Sequence, residues 1–98
     1  MSQAMTRTIL VARLEALLPA AMDDAEFSPT SWANLVDAGM SGRQIFRLFE
    51  LTEEACGVTV CVADILDWVM GRPTLNALAL LVERRRYEVA QGQIGGAA

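Results

Sequence analysis

A chain of 98 residues, 53% of them hydrophobic, has apolar material for one compact domain and too much for a disordered chain. All 8 of its basic residues are Arg, it has no His, and 12 acidic residues leave a net charge of −4. That composition excludes an imidazole base, a Schiff-base lysine and any Ser-His or Cys-His pair, and it argues against general nucleic-acid binding.

Residues 1–5 carry no pattern and are expected to be disordered. Leu10, Leu14, Leu17 and Leu18 recur at helical spacing and predict a first helix from Thr6 to Leu18, with Pro19 marking its end. Arg13 and Glu15 interrupt its apolar run, so it reads as a helix of the mature domain rather than a signal-peptide core. No run approaches the roughly 20 residues of a membrane span. A cytoplasmic protein without a membrane partner is the expectation. Residues 19–40 form a long connection, expected to be pinned to the core by Phe27, Trp32, Leu35 and Val36. Thr30 or Ser31 is placed to cap a short turn through Leu35 and Val36.

Ser41 is the expected N-cap of a second helix that runs to Cys56 and ends at Gly57. Ile45, Phe46, Leu48, Phe49 and Leu51 make its broad apolar stripe. The stretch "VTVCV" alternates weakly, but a lone strand has no partner here, so it reads as an extended link. Asp64 is placed to cap a short third helix, "ILDWVM", ended by Gly71. Thr74, after Pro73, caps a fourth helix with Leu75, Leu78, Leu81 and Val82 facing inward. Arg84, Arg85 and Arg86 fall near its expected end, where positive charge suits the helix dipole. Residues 89–98 read as a flexible tail. Cys56 and Cys61, with no His and no second Cys pair, are expected to be buried small apolar residues rather than metal ligands. The expected fold is all-α: a four-helix bundle of residues 6–88 with three main helices, one short helix and a long first loop.

The pieces, in their order, resemble the acyl and peptidyl carrier proteins over about residues 8–83. "LVDAGMSGR" resembles the loop that ends in Gly-x-Asp-Ser-Leu. "IFRLFELTEEACGVTV" resembles that family's helix II, closing on a Gly-Val turn. "ADILD" followed by "PTLNALALLV" resembles its helix III and the Pro-Thr-Leu start of helix IV. The resemblance implies a carrier-like bundle that performs no chemistry itself. In the family, a phosphopantetheinyl transferase attaches a phosphopantetheine arm to the serine that starts helix II. The arm then presents an acyl or aminoacyl thioester to partner enzymes at high effective concentration. The implied setting is a bacterial pathway of polyketide or nonribosomal-peptide type, with enzymes docking at helix II and the helix III region.

Setting Gly39 on the family's glycine puts Ser41 on its aspartate, Gly42 on its serine and Arg43 on its leucine. Counting back from Gly57 gives the same register. Ser41 is then either a displaced attachment point, turned by about 100° of helix, or only a cap. In the second case the chain is an arm-less carrier-like adaptor or regulator that binds and organises pathway enzymes. A laboratory replacement of the serine is a third possibility. Arg43, Arg47, Glu50 and Glu54 share one helix face that is commonly acidic in the family. Here they read either as a solvated face with an Arg47–Glu50 pair or as a docking patch for an acidic or mixed surface. Trp68 and Met70 read either as extra core or as part of a protein-binding patch. The implied partner-binding set is Met40, Arg43, Arg47, Glu50, Glu54, Trp68 and Met70. No catalytic residue and no metal ligand is expected.

Overall fold

A computed structural model describes the backbone of residues 3–95 and the side chains of residues 7–91. The fold is all-α. Three long helices, α1 (Gln3–Glu15), α3 (Gly42–Cys56) and α5 (Leu75–Gly95), are joined by a short α4 (Val62–Met70) and a single helical segment, α2 (Leu18–Met22). Helix α1 packs along α5, α2 against α3, and α4 against α5. No strand is present among the described residues, and Val58–Val60 run as the expected extended link, with both valines buried.

Four boundaries depart from expectation, one of them the start of α4 at Val62. Helix α1 starts at Gln3, so residues 3–5 are helical and not disordered, while residues 1–2 lie outside the described residues. Pro19 does not end the first helix but sits in the first turn of α2. Its missing N–H costs nothing there, because the first amides of a helix have no partner within it. Helix α1 instead closes one turn earlier, where Leu17 N–H bonds Leu14 C=O at 3.0 Å. Asp23, at φ 54°, then ends α2 in a left-handed conformation that Asp tolerates better than most residues. At the other end, α5 runs on to Gly95, so residues 89–95 are helix rather than tail, and 96–98 lie outside the described residues. Arg84, Arg85 and Arg86 are therefore mid-helix, away from the terminus where the helix dipole would favour their charge.

The core gathers Leu14 and Leu18, Leu48 and Phe49, Ile65 and Trp68, and Leu75, Leu78 and Val82, one group from each part of the bundle. The edge of one ring in the Phe49–Trp68 pair meets the face of the other, with centroids 5.2 Å apart and planes at 80°. Trp68 Nε1 donates to Thr74 C=O at 3.0 Å, which ties α4 to the start of α5. Trp68 is thus core, and its place in the partner-binding set is corrected.

The long first loop is held by hydrogen bonds to a distant segment. Leu35 N–H donates to Pro73 C=O at 2.8 Å, and Asn76 donates through its backbone N–H and its Nδ2 to Ser31 C=O. Leu35 is fully buried and Phe27 packs against the core. Trp32, 75% exposed, and Val36 do not pin the loop. The cap of the short turn is Asn34, whose Oδ1 accepts from Asp37 N–H at 2.9 Å, and not the hydroxyl of Thr30 or Ser31. An Asn side chain reaches its own turn more readily than hydroxyls placed three or four residues earlier.

Candidate functional site

The stretch from Leu35 to Arg43 delivers the chain to the start of α3. Ala38 N–H bonds Asn34 C=O, Gly39 N–H bonds Val36 C=O and Met40 N–H bonds Leu35 C=O, closing one turn. Gly39 leaves that turn at φ 111°, a backbone region closed to most side chains. Met40 then drops into the core and is buried. Its expected place on a partner surface is therefore corrected: it anchors the loop from below.

Ser41 follows in extended conformation as the N-cap of α3. Its Oγ accepts from Gln44 N–H at 3.3 Å, and its own N–H donates to Gln44 Oε1 at 2.8 Å. This reciprocal box satisfies two amides at once. Ser41 is exposed, and so is Gly42, the first residue of the helix. A Cβ placed on Gly42 would meet nothing within 4 Å, so a serine fits there without displacing a neighbour.

Beyond the cap, Arg43, Arg47, Glu50 and Glu54 are all exposed along α3, as is much of Phe46. Among the described residues no ion pair joins Arg47 to Glu50. The second exposed surface is on α4. Val62, Leu66 and Met70, spaced four residues apart, form one outward apolar stripe, with Met70 85% exposed. Met70 was singled out in the sequence; Val62 and Leu66 were missed. Their i, i+4, i+8 spacing was the available signal, hidden because the helix was expected to begin after Asp64.

Helix α4 begins at Val62 because Cys61 is the N-cap and Asp64 the third helical residue, which corrects the cap assigned to Asp64. The Asp64 carboxylate accepts from Cys61 N–H at 3.4 Å and from Cys61 Sγ at 3.1 Å. Arg85 from α5 pairs with the same carboxylate, and Arg84 lies 3.8 Å from its other oxygen. The Arg85 hydrogen bond is the main cause that holds the Asp64 carboxyl below the usual carboxylate range, helped by the Cys61 thiol and opposed by partial burial. Arg86 donates to Cys56 C=O at 3.4 Å, one of the carbonyls left open at the end of α3. Cys56 is buried, and burial pushes its thiol up, whereas Cys61 is exposed, against expectation.

Between α4 and α5 lies an open groove of about 440 Å³ with Trp68 and Leu81 in its lining and Asp67, Arg72 and Arg84 among its charged residues. Charges of both signs share that lining, and none of the described residues there forms a nucleophile–base pair. Among the described residues no helix is long and apolar enough to cross a membrane. No protein-family model, curated protein or solved structure matches the chain.

Proposed function

We propose that this chain is an arm-less carrier-like module that docks to enzymes of a bacterial biosynthetic pathway and organises them without carrying a thioester. The element order supports the carrier-like part of this reading. Helix α1 leads through the short α2 into a long loop, a glycine turn, the capped α3, the short α4 and α5 opened by Pro73-Thr74. The glycine at position 39 stands where a positive φ demands one, which supports its use as the anchor of the register.

The observation that carries the arm-less part is the capping box at Ser41. Both its Oγ and its backbone N–H are committed to Gln44. A phosphodiester on Oγ would have to share the oxygen that accepts from Gln44 N–H. One residue on, where the register asks for a hydroxyl, Gly42 has no side chain. The docking part rests on the α4 stripe of Val62, Leu66 and Met70 and on the exposed charges of α3. Met-containing apolar stripes with charged rims suit protein partners, the rim setting encounter rate and partner choice. The chain does no catalysis in this reading.

Incubation with coenzyme A and a broad-specificity phosphopantetheinyl transferase, followed by intact mass, tests it. The wild-type chain is expected to keep its mass, while Gly42→Ser gains one phosphopantetheine. A gain on the wild type that disappears in Ser41→Ala would replace the arm-less reading with the displaced-carrier one. Failure of Gly42→Ser to react, beside a control carrier that does, would count against the register itself.

A further inference from the structure

Arg43, Arg47, Glu50 and Glu54 lie along one stripe of α3, at spacings of four, three and four residues, and all four are exposed. The two signs are placed symmetrically about the point between Leu48 and Phe49. Arg43 stands as far before it as Glu54 stands after it, and Arg47 matches Glu50 in the same way. Within one molecule only Arg47 and Glu50, three residues apart, are opposite neighbours, and among the described residues they form no ion pair. Both i,i+4 neighbours, Arg43 with Arg47 and Glu50 with Glu54, are like charges. Arg43 also sits in the first turn, where the helix dipole is positive and no acidic residue offsets it. Among the described residues none of the four takes part in an ion pair.

We infer that this face of α3 binds a second copy of the chain, the two helices running antiparallel about a two-fold axis at that midpoint. The rotation sets Arg43 against Glu54 of the second copy and Arg47 against its Glu50. Each contact occurs twice, as a self-complementary interface requires. A parallel pairing sets like charge on like, so the pattern also selects the orientation. A uniformly acidic partner would gain from Arg43 and Arg47 but be repelled by Glu50 and Glu54. The second copy is the occupant that satisfies all four. Phe46 flanks the stripe on the side that turns toward α4, since Phe49, three residues on, meets Trp68 there. It adds apolar contact at the rim of the pair. One helix face offers less than the roughly 800 Å² per partner of a standard interface, so the pair is weak and sensitive to salt. This inference does not depend on the state of Ser41; it uses the same α3 charges as enzyme docking, so a second copy and an enzyme would compete for this face while the α4 stripe stays open.

Sedimentation equilibrium of the full chain, up to about 1 mM protein, reads the association directly. At about 0.01 M salt, where the screening length is about 30 Å, the average mass should climb from 10.6 kDa toward twice that value. At about 1 M salt, where that length is about 3 Å, it should stay at 10.6 kDa. The double variant Arg43→Glu/Arg47→Glu and the double variant Glu50→Arg/Glu54→Arg should each be monomeric alone. An equimolar mixture of the two should recover the dimer, as should one chain carrying all four changes. Because every altered side chain is exposed, thermal melts by circular dichroism serve as the folding control. A wild-type chain that stays monomeric at low salt overturns the inference. So does a double variant that still dimerises, or a mixture that does not.

Discussion

Gly39 and Gly42 stand three residues apart and answer the same substitution with opposite signs. Gly39 holds φ 111°, so Gly39→Ala forces a side chain into a strained backbone and should cost about 1–3 kcal/mol. Gly42 is helical with open space where a Cβ would go, so Gly42→Ala should stabilise by about 0.4–1 kcal/mol through the unfolded state. Urea unfolding of the two variants separates them. Ser41→Ala removes the oxygen that accepts from Gln44 N–H and should lose about 1 kcal/mol, with Ser41→Asp restoring most of it. Local chemistry of this kind was legible in the sequence. Ser41, Gly57 and Thr74 all sit at the helix ends assigned to them, because a cap is decided within four residues. Burial in the loop was not legible. Trp32 and Leu35 are three residues apart, and only the path of the chain, tied to Pro73 and Asn76 some forty residues later, puts Leu35 inside and Trp32 out.

At the scale of the element, α4 is fastened by one carboxylate. Asp64 completes the cap at Cys61 and pairs with Arg85 of α5. Its carboxyl is held below the ordinary value, so the stability it contributes is full above about pH 4, the unfolded value, and disappears as pH falls through the folded one. Asp64→Asn should therefore melt below the wild type at neutral pH, and the two melting curves should converge as the solution is acidified past that point. A gap that stays constant down to pH 2 would show that the charge is not what Asp64 contributes. The sequence placed Asp64 at the start of this helix but gave it the wrong role. A cysteine is an unusual cap, and the partner that fixes Asp64 lies 21 residues away. The same displacement of the helix start hid Val62 and with it the outward stripe. Pro19 was misread for a related reason: proline is equally at home just after a helix and in the first turn of the next, and only the packing of Leu18 and Ala21 on the core decides between them.

For the whole molecule, the all-α order of three long helices, a short one and a long first loop was readable from periodicity and breakers. Helical spacing of leucines survives any change of loop path. Leu48, fully buried at the middle of α3, touches that common core, and Leu48→Ala should cost about 2–5 kcal/mol in chemical denaturation. The candidate site was only half legible. Its position at the start of α3 followed from Gly39 and Ser41, whereas the burial of Met40 and Trp68 depended on packing between elements. In the proposed reading, the absence of a hydroxyl at position 42 keeps the chain arm-less. Intact mass after treatment with phosphopantetheinyl transferase and coenzyme A tests this most directly. An arm-less chain shows no gain on the wild type and one phosphopantetheine on Gly42→Ser; a gain on the wild type that vanishes in Ser41→Ala would contradict the arm-less reading.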